Sequence, residues 1–168
     1  MSDRPPFLHI VGPKNSGKTR LTEWLIRSLT DCGLKVGALK HSMHSHPVDK
    51  SGADSDRLRR AGAFPAAFWS ENGLGIYYPP LASEKGWQIL QNTFARCDLV
   101  LVESFASAPH PKIVLQDDEG IPTRFDNVIA LISNRKIETE LPVFKPDEKK
   151  RLIDFILKYF RLQTQRNH

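Results

Sequence analysis

The chain has 168 residues, 40% hydrophobic and 26% charged, which predicts a single domain over 1–168 with flexible ends at 1–6 and about 161–168. The apolar stretches are too short to cross a membrane and the N-terminus lacks the apolar core of a signal peptide, which favours a cytoplasmic protein without a membrane partner. The net charge of +5 comes largely from lysines and arginines near the C-terminus; without a zinc finger or an RNA-binding motif it indicates a solvated helix face, and no nucleic-acid partner is expected.

The first predicted elements are a strand, a helix and a second strand. The apolar run 7–11 predicts a short buried strand, and apolar residues then recur at helical spacing over 21–29. Gly33 stands where the C-terminal cap of that helix is expected. A second strand is predicted over 35–40. The stretch 41–52 is rich in His, Ser and Asp without apolar periodicity, so we expect a mobile loop there.

The middle of the chain predicts a short helix, a hairpin and a longer helix. The short helix runs through Arg60 and stops near Gly62, with Asp54, Ser55 and Asp56 as candidate caps. The segments 66–70 and 74–78 flank a Glu-Asn-Gly turn and predict an antiparallel hairpin. A helix over 83–96 follows.

The remaining elements complete a sheet. The run 99–102 is continuously apolar, as in a strand buried on both faces, and two further strands are predicted over 112–116 and 128–132. A last helix opens near 146–148 and turns inward Leu152, Ile153, Ile156 and Phe160. This order predicts an α/β three-layer sandwich around a mostly parallel sheet, with one antiparallel hairpin and ligands at the carboxyl ends of the strands.

Residues 12–19 spell G-x-x-x-x-G-K-T between the first strand and the first helix, which is the pattern of a P-loop. The main-chain N–H groups of such a loop bind phosphate oxygens at a helix N-terminus. Lys18 is predicted to reach the β- and γ-phosphates, and the Thr19 hydroxyl to ligate Mg²⁺. The predicted nucleotide-binding residues are Gly12, Pro13, Lys14, Asn15, Ser16, Gly17, Lys18, Thr19 and Arg20.

Three carboxylates are candidates for work on the nucleotide. Glu103 follows the apolar run 99–102, where P-loop proteins carry an acidic residue facing Mg²⁺, so Thr19 and Glu103 are the predicted metal residues. A solvated acid at a strand end is the alternative for Glu103. Asp49 and Asp54 are further catalytic candidates near the γ-phosphate, although Asp54 suits a helix cap equally well.

Three histidines lie close together in the predicted loop, with the spacing H-x-x-H-x-H: His41, His44 and His46. Histidine is a frequent transition-metal ligand. Because no cysteine adjoins these residues, the sequence favours a loop without a metal, and their role is left open.

Together these segments resemble the molybdopterin-guanine dinucleotide biosynthesis adapter protein (MobB) family. The strand and P-loop over 10–21 form the first similarity, and Asp98–Phe105 is similar to the family's Asp-hydrophobic-Glu-Gly-Phe segment. The most diagnostic similarity joins 37–41 to 48–63, which matches a lysine-histidine strand end, an Asp-Lys-Pro-Gly-x-Asp-Ser loop and an Arg-x-Ala-Gly-Ala helix. The likeness covers roughly 7–132.

The resemblance implies a P-loop NTPase fold and a dimeric protein that binds GTP and hydrolyses it weakly. Such a protein assists a partner nucleotidyltransferase in attaching GMP to the molybdopterin cofactor. Ser51 and Ser104 replace the family's usual proline and glycine, and neither change removes a phosphate ligand. A preference for guanine is not legible, because Asn134–Ile137 lacks the aspartate of the N-K-x-D motif.

Two other functions compete with the adapter. A small-molecule kinase would use Lys18 with the arginines of the short helix, Arg57, Arg59 and Arg60, to grip a triphosphate. A metallochaperone GTPase would hand over nickel through the loop histidines. The sequence contains neither a separate arginine-bearing lid nor cysteine ligands beside the histidines, so we favour the adapter.

Overall fold

A computed structural model of the chain describes residues 4–42, 47–116 and 125–164. Within those residues it contains eight strands and four helices. In chain order they are β1 (Phe7–Val11), α1 (Lys18–Asp31), β2 (Val36–Lys40), α2 (Asp54–Arg60), β3 (Ala66–Ser70), β4 (Gly73–Tyr77), α3 (Ser83–Thr93), β5 (Leu99–Glu103), β6 (Lys112–Leu115), β7 (Val128–Ile132), β8 (Val143–Phe144) and α4 (Lys149–Phe160).

The chain divides into two compact units, described here separately. The first comprises Met1–Met43 and Thr93–His168 and is called the sheet unit; the second, His44–Asn92, is called the hairpin unit. The prediction of one domain over 1–168 stays a prediction. The ends at 1–6 and about 161–168 were expected to be flexible, and residues 1–3 and 165–168 of them lie outside the described residues. Pro6 is held against the sheet, because its carbonyl oxygen accepts a hydrogen bond of 2.9 Å from Val100 N.

The sheet unit is built on six parallel strands in the order β2-β5-β1-β6-β7-β8. The middle strands β5, β1 and β6 are buried along their whole length, which explains their continuous apolar sequences. Side chains alternate between the faces of the sheet. One face packs against α1 and α4 through Leu8 and Ile10, whereas Val11 belongs to a second cluster with Val114 and Leu131.

The strands and helices predicted for this unit form, with small differences. Residues Leu152, Ile153 and Ile156 of α4 are buried, and Phe160 packs at the margin of the core. The strand β5 extends one residue further than predicted and includes Glu103. The edge strand β8 was not predicted, because two residues are too few to give an alternating pattern.

The hairpin unit contains a two-stranded antiparallel sheet, β3-β4, that is separate from the parallel one. Ser70 pairs with Gly73, so the turn has two residues, Glu71 and Asn72. The predicted hairpin is therefore confirmed, and the six-stranded sheet is entirely parallel. The helix α3 ends at Thr93, three residues earlier than predicted.

The short helix α2 ends at Arg60 as predicted, but Asp54 does not cap it. The cap position is Ala53, which makes no side-chain cap hydrogen bond. The Asp56 carboxylate instead accepts from Gly52 N over 3.0 Å, and Ser55 Oγ donates to Asp49 over 2.6 Å. Asp54 is wrong as a cap because it is already the first helical residue and its side chain is 91% exposed.

The predicted loop over 41–52 contains no helix or strand in its described residues, 41–42 and 47–52. His44 and His46 lie outside the described residues. None of the helices in the described ranges is long and apolar enough to cross a membrane.

Candidate functional site

The phosphate loop, residues 12–19, connects β1 to α1 at the carboxyl edge of the sheet. Gly12, Asn15 and Gly17 have positive φ angles of 154°, 65° and 89°. A Cβ atom on Gly12 would lie 2.6 Å from the carbonyl oxygen of Leu115 in β6, so a side chain does not fit there. Around Gly17 the space is open, and its left-handed φ alone favours glycine.

The start of α1 has the features of an anion-binding site. The first turn contains no acidic residue, and Gly17 O accepts from Leu21 N over 2.9 Å. Ser16 Oγ is buried and makes no hydrogen bond with any residue in the described ranges. A buried hydroxyl without a partner is costly, and a phosphate oxygen would supply the missing acceptor. The loop therefore fits a phosphate group.

The side chain of Lys18 turns back toward the main chain of the phosphate loop. Its Nζ donates to the carbonyl oxygen of Pro13 over 2.5 Å. The lysine is therefore held beside the main chain that would surround a phosphate. Lys14 and Arg20 are exposed, Lys14 within the loop and Arg20 on the first turn of α1.

Glu103 joins the phosphate loop to the neighbouring strands. Its side chain is only 9% exposed, and its Oε1 accepts from Thr19 Oγ1 over 2.9 Å. The same oxygen forms an ion pair with Lys40, whose side chain is 61% exposed. The last residues of β2 and β5 are paired in the sheet, which places Lys40 beside Glu103.

The Thr19–Glu103 pair fits a magnesium ion. Both groups supply hard oxygen atoms, the ligands that Mg²⁺ prefers. Adjacent oxygens of an octahedral Mg²⁺ site with ligands at 2.0–2.1 Å are separated by about 2.9 Å. The two oxygens are joined by a hydrogen bond of 2.9 Å, so they already lie close enough to ligate one ion. The two predicted metal residues are thus brought together by the fold, while Lys40 is a partner that the sequence analysis missed.

The two residues after Glu103 form a tight bend. Ser104 and Phe105 have φ angles of 73° and 63°, in the left-handed region that side chains disfavour. Ser104 therefore occupies a conformation natural to glycine, the residue usual in the resembling family. The Phe105 ring stacks on His41, with centroids 3.8 Å apart and planes 9° apart. The start of the 41–52 loop thus contacts the segment after β5.

A buried histidine supports this bend from β1. His9 is fully buried and its Nδ1 lies 3.2 Å from Ser104 O. Burial, together with the nearby charges of His110 and Lys112, lowers the pKa of His9 to about 4. The ring is therefore neutral at pH 7, and Nδ1–H donates to the carbonyl. Sequence analysis treated His9 as an ordinary strand residue, and no local pattern distinguishes it.

A buried lysine holds the loop that precedes β6. Lys112 is fully buried in a strand of the central sheet. Its Nζ donates to the carbonyl oxygens of Ala108, His110 and Asp126, at 2.5, 3.1 and 2.9 Å. Burial lowers the pKa of this ammonium group. Lys112 therefore has a structural role near the site, because its ammonium group donates its hydrogen bonds to main-chain carbonyl oxygens.

The other catalytic candidates belong to the hairpin unit. Asp49 accepts from Ser55 Oγ, and Asp54 lies 3.5 Å from Arg57. Arg59 and Arg60 both pair with the buried Asp56 of the same helix. These arginines are thus engaged within α2. Among the described residues, no group of three His, Cys, Asp or Glu side chains is placed to hold a metal ion.

A cavity of about 430 Å³ adjoins the phosphate loop within the sheet unit. Ser16 and Gly17 line one side of it, and the segments that follow β6, β7 and β8 line another. Its apolar lining includes Leu21, Trp24 and Leu152. The cavity and the phosphate loop are therefore continuous.

A glycine-rich phosphate loop after the first strand of a parallel α/β sheet, with a carboxylate from the adjacent strand on its threonine, defines a P-loop NTPase. Comparison with known proteins narrows this class. The family model for molybdopterin guanine dinucleotide synthesis protein B (MobB) matches residues 7–134. The chain belongs to this family.

Individual relatives agree with this assignment. The molybdopterin-guanine dinucleotide biosynthesis adapter protein of Haemophilus influenzae is 33% identical over 162 residues, covering 93% of this chain and 90% of that protein. A probable adapter protein of the same name from Bacillus subtilis is 33% identical over 164 residues, with 90% and 91% covered. A crystal structure of molybdopterin-guanine biosynthesis protein B superposes with a TM-score of 0.74 at 26% identity, covering 92% of this chain and 99% of that one. The resemblance seen in the sequence is thereby confirmed.

Proposed function

We propose that this protein is a cytoplasmic, homodimeric adapter that binds Mg-GTP and assists a nucleotidyltransferase in converting molybdopterin to its guanine dinucleotide form. Family membership supports the adapter role. The observation that carries nucleotide binding is the Thr19–Glu103 contact of 2.9 Å at the end of an open phosphate loop. This contact places Glu103 beside Thr19, so both candidate metal ligands lie at the end of the loop that would bind the phosphates.

Nucleotide binding would use groups that are already positioned. The N–H groups at the start of α1 and the Ser16 hydroxyl would bind phosphate oxygens. Lys18 would exchange the Pro13 carbonyl for a phosphate oxygen. Thr19 and Glu103 would hold Mg²⁺, which when bound neutralises charge on the phosphates. Lys40 is mostly exposed and would move away from Glu103 at little cost.

The kinase alternative relies on the arginines of α2 to grip a triphosphate. Arg57 pairs with Asp54, and Arg59 and Arg60 pair with Asp56, so each forms an ion pair within its own helix. Ion pairs of exposed arginines, such as Arg57 and Arg60, exchange partners at little cost, and family membership therefore carries the preference for the adapter. The metallochaperone alternative depends on His41, His44 and His46, and the last two lie outside the described residues.

Homodimer formation is supported by the apolar surface of β3 and β4. Trp69 is 85% exposed and Leu74 62% exposed, and the two are directly paired across the hairpin. Ile76 is half exposed on the same face. Exposed apolar side chains on an isolated two-stranded sheet mark an interaction surface. A second copy of the chain would cover it.

Calorimetry with Mg-GTP tests the central claim. Replacing Lys18 by Ala removes a charge-assisted hydrogen bond worth about 1.5–3 kcal/mol, so we expect the affinity to fall at least about tenfold with the fold intact. Lys150→Ala, which removes the same charge from an exposed site on α4, is the matched control and should bind as the wild type does. Equal affinities for wild type and Lys18→Ala would show that the P-loop assignment is wrong.

A further inference from the structure

The cavity beside the phosphate loop has the size and walls of a small-molecule site. Its volume of about 430 Å³ lies within the range of roughly 300–1,000 Å³ found for ligand pockets. Leu21, Trp24 and Leu152 give it apolar surface, and Ser16 and Gly17 connect it to the phosphate loop. A ligand whose phosphates occupy the loop would therefore place its other end in this cavity.

Among the polar side chains that line the cavity are an amide and a carboxylate, both exposed to solvent. Asn134 follows β7 and Asp147 follows β8, and both residues line the cavity. The strands are parallel neighbours, with Leu131 paired to Val143 and Ile132 to Phe144, so the residues after both strands lie at one edge of the sheet. Within the described ranges, neither the Asn134 amide nor the Asp147 carboxylate forms a hydrogen bond or ion pair.

A carboxylate accepts hydrogen bonds and cannot donate them when ionised. Guanine presents two adjacent donors, N1–H and N2–H₂, that match the two oxygens of a carboxylate. Adenine presents an acceptor at N1, which would face the carboxylate without a hydrogen. A side-chain amide supplies both a donor for the guanine O6 or N7 and an acceptor.

We propose that this cavity binds the guanine base of the nucleotide and that Asp147 determines the preference for guanine over adenine. Asp147 would bind N1–H and N2–H₂, and Asn134 would donate to the opposite edge of the base. The N-K-x-D motif has an aspartate three residues after its asparagine, and this chain lacks that aspartate after Asn134. Asp147, in the loop that follows β8, would supply the carboxylate instead. This proposal rests on the proposed function, because it takes the phosphates to lie in residues 12–19.

Nucleoside diphosphates that differ only in the base test the proposal. Equilibrium dissociation constants are measured for GDP, IDP, ADP and XDP with Mg²⁺. IDP lacks the 2-amino group, and XDP carries a carbonyl oxygen in its place. The wild type should bind GDP about 10- to 100-fold more tightly than ADP, with IDP between them.

The variant Asp147→Asn converts one carboxylate oxygen into a donor. Affinity for GDP should fall about 10- to 100-fold, affinity for ADP should change less than about threefold, and affinity for XDP should rise. Asp154→Asn, which removes an exposed carboxylate of α4 outside the cavity lining, should leave all four constants unchanged. The gain for XDP cannot result from a folding defect.

The possible failures are distinguishable. If the wild type binds GDP and ADP equally while Lys18→Ala weakens both, nucleotide binding stands and the base assignment is wrong. An equal loss for all four nucleotides in Asp147→Asn, or the absence of a gain for XDP, also overturns the role of Asp147. If the wild type binds none of the nucleotides, the proposed function itself fails.

Discussion

At the scale of single residues, Glu103 has two different partners on one oxygen atom. The Thr19 hydroxyl donates to it, and the Lys40 ammonium balances its charge. The carboxylate is nearly buried, and a buried charge requires a partner. Lys40 therefore stabilises Glu103 in the form described here, and a metal ion would take over that task in the nucleotide complex.

Replacing Glu103 by Gln tests this division of roles. The amide keeps the shape and loses the charge, so binding of Mg-GTP should weaken by about tenfold while binding of GTP in EDTA changes little. Affinities with and without Mg²⁺ are compared by calorimetry. Glu140→Gln, which changes an exposed carboxylate outside the cavity lining, serves as the control. Equal losses in both conditions would assign Glu103 a structural role.

His9 predicts a pH dependence of stability. Its pKa is about 4 in the folded protein and near 6.5 in the unfolded chain, so unfolding takes up a proton between these values. The contribution of His9 to stability is therefore complete above pH 6.5 and is lost as the pH falls toward 4. The full effect is about 3 kcal/mol.

The contribution of His9 is isolated by comparison with His9→Gln, which keeps a side-chain donor and does not titrate. Urea unfolding from pH 7 to pH 4 should give a smaller decline for the variant than for the wild type. His41, whose pKa burial also lowers, is present in both proteins and cancels in the difference. The ring of His110 stacks on that of His9, so the difference reports the titration of this pair. Identical pH profiles would show that His9 does not titrate in this range.

At the scale of elements, the hairpin of β3 and β4 differs from the central strands. The central strands bury both faces, whereas the hairpin exposes Trp69, Leu74 and Ile76 on one face. Two-stranded sheets are marginally stable alone. The apolar face of the hairpin therefore favours association of two copies of the chain, and substitutions on this face test whether a dimer forms there.

Placing a charge on that face should shift the protein toward monomers. Trp69→Lys removes the most exposed of these apolar side chains and adds a charge that is costly to bury in an interface. Sedimentation velocity over a range of concentrations gives the oligomeric state. Asn72→Lys adds the same charge in the turn and should leave a dimer intact. An unchanged distribution for Trp69→Lys would place the dimer surface elsewhere.

Local sequence patterns predicted much of the fold, because the central strands are continuous apolar runs and the phosphate loop has glycines at fixed spacing. The apolar run 99–102 gave a strand, and Gly12 and Gly17 located the phosphate loop. The partner of Glu103 was not predictable, since Lys40 lies opposite it only through the strand order β2-β5. The same holds for Asp147, which lies near Asn134 in the cavity because β8 pairs with β7. Long-range strand order is absent from a local pattern.

At the scale of the whole molecule, an adapter does not need rapid hydrolysis by itself. The arginines of α2 form ion pairs within their helix, and from the sequence we predict that the chain supplies no arginine finger of its own. Phosphate release at saturating Mg-GTP should therefore be well below the typical enzyme rate of about 10 s⁻¹. The measurement is made with and without a molybdopterin nucleotidyltransferase. Rapid release by the isolated protein would contradict the adapter role.

The environment of Lys112 has a consequence for such experiments. Three carbonyl oxygens surround the Lys112 ammonium group much as oxygen ligands surround a bound metal ion. Here, however, the cation is a side chain of β6 and is covalently attached to the protein. Dilution cannot remove it. The loop before β6 thus carries a permanent internal counter-ion, which EDTA does not remove.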